Sequence, residues 1–354
     1  YRNYPNFRLK AVQYSSYSEV SDRAVLGKNT LVTGVNLITE SFRKISGDPV
    51  PLNNYDYVTA GVFAQNDWQA TEKLMVEAGV RYDHHNINGS FFLPRIALFY
   101  KASHALSVRL ASGYGYKAPS ILSLTDPTPY TFNNGASVKA EHSRGINADI
   151  NYKALWWDEI EVSLNQAFYF ADIKNPLRVI TDTLAQTAYL ENQDYKVTTL
   201  GTDTYVQMVY KNFELYLGYN HTEALQKYSS ENIFMPFNPK DKFSTTFAYA
   251  VEGNWRAGIE GSYSANQYAY GSQYYYNSQT MYATHRVSNF WFLAAMVEKK
   301  FGFGSIILNV ENLTDARQAK YESLYTGSIT KPTFRPIWGP LDGRVFNLSV
   351  KVNL

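Results

Sequence analysis

The chain has 354 residues, and 33 Lys and Arg against 31 Asp and Glu leave a formal net charge of only +2. This balance argues against nucleic-acid binding driven by phosphate charge, and the absence of Cys excludes a disulfide scaffold or a Cys-based metal site. No run reaches the ~18 apolar residues that a membrane-spanning helix needs. The 30 Tyr residues instead favour the aromatic girdles and Tyr-bearing loops of an outer-membrane barrel.

Apolar and polar residues alternate in segment after segment along the chain. Successive side chains of an extended segment point to opposite faces, so each such segment predicts a strand with one apolar and one polar face. The clearest segments are 73–83, 105–117, 144–153, 159–168, 213–220, 254–263 and 343–354. No segment of comparable length has the i, i+3, i+4, i+7 spacing of an amphipathic helix. The chain is therefore predicted to be all-β.

The connections between these segments distinguish a membrane barrel from a soluble sandwich. Tight connections are predicted at 68–73, 100–105, 153–159, 210–213, 251–255 and 299–305. Long connections are predicted near 40–57, 118–140, 172–187, 222–240, 264–288 and 314–342. Strict alternation of tight and long connections is typical of a transmembrane β-barrel with periplasmic turns and extracellular loops.

The order of the connections also fixes the strand directions. We count about fifteen strands, with the C-terminus on the periplasmic side. The first strand, near 6–17, then descends, and its ascending partner is expected before Tyr1. Single-chain bacterial barrels have even strand numbers, so we expect residues 1–354 to be the C-terminal part of a larger barrel.

Several stretches, in this order, resemble one family. They are "GVFAQNDW" (61–68), "LMVEAGVRYDHH" (74–85), "FLPRIALFYKASHALSVRLASGYGYKAPS" (92–120), "VKAEHSRGINADINY" (138–152), "FYFADIKN" (168–175), "YLEN" (189–192) and "ENLTDARQ" (311–318). The ordered set is similar to the barrel of TonB-dependent outer-membrane receptors. "NPKDKFSTTFAY" (238–249) and "GPLDGRVFNLSV" (339–350) resemble the form found in Bacteroidota.

This resemblance implies a transmembrane antiparallel up-and-down β-barrel of 22 strands, closed by an N-terminal plug, in the outer membrane of a Gram-negative bacterium. Such a plugged lumen suits a barrel of this size. Residues 1–354 would then supply about strands 8 to 22, and the plug and first strands would lie outside the sequence. Leu354 departs from the family, whose barrels usually end in Phe.

The resemblance also implies active import of a scarce chelate, with energy delivered through TonB to the plug. We expect an iron–siderophore complex first, then cobalamin, then haem. The expected partners are the TonB complex, outer-membrane lipid, the small-molecule chelate and a surface lipoprotein. No enzyme and no cofactor is expected, because the sequence lacks a nucleophile elbow, a metal-ligand spacing and a phosphate loop. The alternatives are an ungated porin and a non-transport barrel that acts as an adhesin or scaffold.

Two groups of residues are candidates for ligand contact. The loop 264–288 is rich in Tyr, which offers large, stiff contact area at low entropic cost; its members are Tyr268, Tyr270, Tyr274, Tyr275, Tyr276 and Tyr282. The alternative for this loop is an aromatic girdle with ordinary loop packing. In the lumen, Arg81 and Arg109 would attract an anionic chelate, unless they pair with neighbouring carboxylates or with the plug.

No metal site is predicted. His84 and His85 are adjacent on a strand, so they point to opposite faces and cannot chelate one ion. "YKAP" (116–119) is similar to a box found across the family, but no His lies between Pro119 and Glu141. In haem receptors a His follows this box, so its absence lowers the ranking of haem. Lys117 and Pro119 are expected to shape the loop exit.

Overall fold

The computed structural model describes residues 2–4, 7–47, 54–120, 131–133, 138–182, 187–228, 231–276 and 279–352. Within these residues almost all regular structure is β-strand, with one 3-10 turn at Gln318–Lys320. No helix in this part of the chain is long and apolar enough to cross a membrane.

Fifteen long strands in the described ranges form one antiparallel sheet, which confirms the predicted count. They are β2 (Phe7–Leu26), β3 (Asn29–Gly47), β4 (Tyr55–Gln69), β5 (Leu74–His85), β6 (Gly89–Lys101), β7 (Leu106–Lys117), β9 (Glu141–Trp156), β10 (Ile160–Lys174), β13 (Lys196–Tyr210), β14 (Phe213–Lys227), β16 (Asp241–Val251), β17 (Trp255–Ala265), β20 (Phe290–Phe301), β21 (Gly304–Glu311) and β24 (Val345–Val352). Each pairs with the next one in an up-and-down meander.

The remaining strands are shorter or lie in the connections. They are β1 (Arg2–Tyr4), β8 (Thr131–Asn133), β11 (Leu177–Asp182), β12 (Thr187–Asn192), β15 (Asn232–Phe234), β18 (Tyr268–Tyr276), β19 (Gln279–Arg286), β22 (Tyr325–Ser328) and β23 (Lys331–Phe334). β1 pairs with β2 and β15 with β14. The pairs β11–β12, β18–β19 and β22–β23 are hairpins that project from the long connections.

The connections alternate between tight and long as predicted, with one exception. β5 and β6 belong to the end with the long loops, yet only residues 86–88 join them. The predicted strict alternation is therefore wrong here. "NG" at 88–89 is a strong hairpin signal, and Gly89 adopts a φ of 83°, a conformation that glycine reaches without steric cost.

The two faces of the sheet have opposite character. On β21 and β24 the pairs Ile306–Val350 and Leu308–Leu348 lie side by side on one face, and Leu348 is 71% exposed. The opposite face of the sheet is concave: it lines a cavity of about 550 Å³ with the side chains of Met75, Glu77, Ala97, Phe99, Arg109, Asn147, Asp149, Asn151, Asn165 and Ala167. An exposed apolar outer face and a polar concave face are the arrangement expected of a barrel wall in lipid.

Substitution of Leu348 tests which face meets lipid. We expect Leu348→Lys to lower the free energy of unfolding by about 2–4 kcal/mol, because it places a charge near the middle of the lipid-facing surface. Asn347→Lys, one residue away on the concave face, is the matched control and is expected to have little effect. Urea unfolding of the two variants in lipid vesicles makes the comparison, and equal losses would contradict the assignment of the faces.

Candidate functional site

The concave face carries a chain of charged side chains that pair with one another. Arg81 on β5 donates from Nε to Asp83 Oδ1 at 2.8 Å and to Oδ2 at 3.0 Å. Asp83 is only 2% exposed and also accepts a hydrogen bond from Tyr116 Oη at 3.0 Å. The guanidinium of Arg81 is therefore already compensated by a buried carboxylate.

Arg109 on β7 has a similar partner on the next strand. Its Nε donates to Asp149 Oδ2 at 2.8 Å, and Asn151 Nδ2 donates to Asp149 Oδ1 at 2.7 Å. Arg95 lies 3.2 Å from Glu77 in the same part of the wall. Because each of these three arginines has a carboxylate beside it, this part of the wall offers alternating charge rather than a field of one sign.

A glycine makes this close packing possible. A Cβ on Gly61 would collide with Asn36 Oδ1 and Asp83 Oδ1. Asn36 is 5% exposed and sits on β3, so the polar side chains of β3 and β5 meet above the bare backbone of β4. A larger residue at position 61 would push Asp83 away from Arg81.

The "YKAP" segment folds back over the concave wall. The Tyr116 ring stacks on Phe91 with centroids 3.7 Å apart. Four residues later, Ser120 Oγ lies 3.5 Å from Glu40 Oε1 on β3. Pro119, which precedes Ser120 in the sequence, is buried. The segment thus crosses the wall from β7 towards β3, and the role of Pro119 in shaping the loop exit stays a prediction.

Two of the six predicted Tyr residues belong to a cluster that joins three long connections. Tyr268 stacks on Phe234 at 4.9 Å, and Tyr270 meets Phe237 edge-on at 5.5 Å. Arg178 from the β11–β12 hairpin places its guanidinium carbon 5.0 Å from the Tyr270 ring centre. These contacts bring together loops far apart in sequence. The side chains of Tyr274, Tyr275, Tyr276 and Tyr282 lie outside the described part of the structure.

Sequence reasoning missed the most buried member of this region. Tyr195 is 6% exposed and packs against Tyr228 with ring centroids 4.6 Å apart. Burial raises the pKa of its phenol well above the usual range, so Tyr195 stays protonated. The sequence marked Tyr195 only by its position, directly after the loop residues "NQD" and directly before the strand Lys196–Tyr210. We call Arg178, Tyr195, Tyr228, Phe234, Phe237, Tyr268 and Tyr270 the loop cluster.

The last long connection, 312–344, is tied together by two buried amides. Asn312 is 2% exposed; its Nδ2 donates to the carbonyls of Ala316 and Asp342, both at 2.9 Å, and its Oδ1 accepts from Ala316 N at 2.8 Å. Gln318 is fully buried, and its Oε1 accepts from Trp338 N at 3.0 Å. These bonds hold both ends of the connection together.

The same connection docks on the β18–β19 hairpin. Gln267 Nε2 donates to the Trp338 carbonyl at 3.2 Å, and the Trp338 ring packs with Ala269 and Val287 in a small buried core. The last connection therefore buttresses the hairpin that carries Tyr268 and Tyr270.

His84 and His85 are held by structural contacts. His85 is buried, and its Nδ1 accepts backbone N–H groups from Ile87 at 3.1 Å and Asn88 at 3.2 Å, closing the turn after β5. His84 is on the other face beside Ser90. No group of three or more His, Cys, Asp or Glu in the described residues is arranged to hold a metal ion.

Comparison with known proteins gives both a family and a fold. Residues 3–313 match the family model described as TonB dependent receptor-like, beta-barrel. No curated protein sequence matches significantly. Three solved structures share the fold at low identity, each with a TM-score of 0.70 and each covering 97% of this chain. The FrpB iron transporter from Neisseria meningitidis is 13% identical, and the match covers 55% of its chain. A variant of the ferric enterobactin receptor PfeA from Pseudomonas aeruginosa, in complex with enterobactin, and the copper transporter OprC are each 14% identical, and the matches cover 54% and 56% of their chains. The chain thus spans about half the length of these structures.

The role of Asn312 can be tested by proteolysis. We expect Asn312→Ala to expose the peptide bonds after Arg317 and Lys320 to trypsin, because each buried group left unpaired costs about 1–3 kcal/mol and the connection loses its closing bonds. Asn347→Ala, on β24, is the control and should be cut as slowly as the parent. Equal cutting rates for the Asn312 variant and the parent would show that other contacts close the connection.

Proposed function

The chain belongs to the TonB-dependent receptor β-barrel family, and we propose that it forms the larger part of the barrel of an active importer for a scarce chelate. As a member of this family it is an outer-membrane protein of a Gram-negative bacterium. The family and the structures that it resembles are receptors and transporters rather than enzymes.

We propose iron–siderophore as the substrate class, followed by cobalamin and then haem. The observation that carries the proposal is the loop cluster, which presents stiff aromatic surface and one guanidinium beside the mouth of the polar wall. Aromatic faces together with a cation suit a compact, anionic, ring-bearing chelate. Haem ranks lower because no His lies between Pro119 and Glu141 in the sequence. The first His after the YKAP segment, His142, is the register partner of Tyr116, and its ring lies 5.5 Å from that of Phe91.

The proposed mechanism depends on a plug outside residues 1–354. The described strands leave β24 paired only with β21, and β1 paired only with β2. Unpaired strand edges are not tolerated in lipid, so we propose that further strands complete a 22-stranded barrel, of which this chain supplies about strands 8 to 22. The plug inside it would contact the TonB complex and release the ligand. A surface lipoprotein that delivers the ligand remains a candidate partner.

The paired charges of the wall suit a lumen that is filled by a plug. Arg81, Arg95 and Arg109 each lie beside a carboxylate, so this part of the wall carries paired charges of both signs. Such a surface suits polar contacts that form and break as a plug moves. An ungated porin and an adhesin or scaffold are the alternatives that the experiment below separates.

Uptake measurements test the transport proposal. We expect cells that express the full-length receptor to take up a ⁵⁵Fe-labelled siderophore, and expect deletion of TonB to abolish this uptake. Uptake that persists without TonB would indicate a porin. The same cells are also offered cyanocobalamin and haem. If none of these chelates is taken up and the receptor instead binds a protein, it would be an adhesin or scaffold.

Substitutions in the loop cluster test the binding site. We expect the double variant Tyr268→Ala/Tyr270→Ala to weaken binding of the transported chelate by about tenfold, the equivalent of about 1.4 kcal/mol, since both rings are held in place by aromatic neighbours. Tyr14→Ala/Tyr114→Ala removes two rings that are 66% and 58% exposed and serves as the control. Unchanged affinity in the first variant would exclude the loop cluster from ligand contact.

A further inference from the structure

Three lysines form a row across neighbouring strands on the outer face of the sheet. Lys196 on β13 and Lys227 on β14 are register partners. Ile173 pairs with Val197, which brings the next residues, Lys174 and Lys196, level with each other on the same face. Like charges placed directly opposite each other destabilise a sheet. An anion bound between these lysines would therefore stabilise the arrangement.

Two carboxylates on the same face, Asp172 and Glu223, make their direct contacts elsewhere. Asp172 lies 3.0 Å from Arg144 and accepts a hydrogen bond from Thr198 at 2.8 Å. Glu223 lies 2.9 Å from Lys240. Lys196 acts on Asp172 as a neighbouring charge, but no ion pair within 4.0 Å joins the two.

The lysine row keeps its charge. Lys174, Lys196 and Lys227 are exposed. Among the side chains that the structure describes, no carboxylate forms an ion pair within 4.0 Å of any of the three ammonium groups. A concentrated positive charge therefore faces outward.

The row lies just above the apolar band of the barrel. Along the strands below it, the outer face carries Ile146, Phe168 and Leu200, which are 51%, 51% and 56% exposed. Fourteen residues separate Lys196 from Tyr210, which lies at the opposite end of β13 beside the tight turn. At about 3.3 Å per residue and a tilt of about 40°, this is about 35 Å along the membrane normal, against an apolar band of about 25 Å. The lysines thus reach the level of the outer-leaflet headgroups.

We propose that Lys174, Lys196 and Lys227 form a binding surface for the phosphorylated headgroup of an outer-leaflet lipid. A phosphate accepts charge-assisted hydrogen bonds from several ammonium groups at once, which relieves the repulsion along the row. The acyl chains of the same lipid would lie against Leu200 and Phe168, so one molecule satisfies both the charge and the apolar surface. This site is on the outside of the barrel and is independent of the imported ligand.

The test uses the full-length receptor in a non-ionic detergent, titrated with bisphosphorylated lipid A. We expect the triple variant Lys174→Gln/Lys196→Gln/Lys227→Gln to bind this lipid about tenfold or more weakly than the parent. In detergent without lipid the variant is expected to be at least as heat-stable as the parent, because the like-charge row is gone. Lys28→Gln/Lys73→Gln/Lys153→Gln removes the same charge from residues at or beside tight turns and should keep the parent affinity.

Two further measurements distinguish binding of the lipid phosphate from a general effect of positive charge. The triple Lys→Arg variant should restore binding, and a dephosphorylated lipid A should bind all variants equally weakly. Parent-like affinity of the Gln variant would overturn the proposal. Inorganic phosphate that binds the row as tightly as the lipid would also overturn it, in favour of a site for a free anion.

Discussion

The constraint on which this structure depends is the need of every backbone N–H and C=O at membrane depth for a partner. Lipid offers no hydrogen bonds, so each strand must pair along its whole buried length. The long ladders meet this need: β10 pairs with both β9 and β13 along nearly all of its residues. The up-and-down order follows, since tight turns are the shortest way to supply each strand with two neighbours.

A wall one strand thick has no packed core beneath it, and its inner side chains must therefore satisfy one another along the surface. Tyr169 shows how this is done. Its ring lies over Gly201, where a Cβ would collide with it, and its hydroxyl meets Thr222 and lies 3.2 Å from Asn220 Nδ2. Gly61 likewise leaves room for the buried side chains of Asn36 and Asp83. Bare backbone is thus what allows large polar side chains to lie flat against the wall.

The alternation of apolar and polar residues was sufficient to predict the strands, because the outer face meets lipid and the inner face meets water. It failed where that contrast is weak. In "YSSYSEVSDRAV" (14–25) polar residues occur on both faces, and β2 extends to Leu26, well beyond the predicted end. The contacts within the loop cluster were beyond prediction, since Arg178 and Tyr270 are separated by almost a hundred residues and no local pattern records their meeting.

The extracellular side of the molecule combines packed and exposed surface in a way that bears on ligand capture. Asn312 and Gln318 close the last connection, Trp338 fixes it to the β18–β19 hairpin, and that hairpin holds Tyr268 and Tyr270 against aromatic neighbours. Side chains that are already ordered lose little entropy when a ligand arrives. A ligand that contacts Tyr268 and Tyr270 would therefore gain affinity, because these rings are already held in place before it binds. The entropy lost on binding would come from other loops of the receptor that become ordered around the ligand.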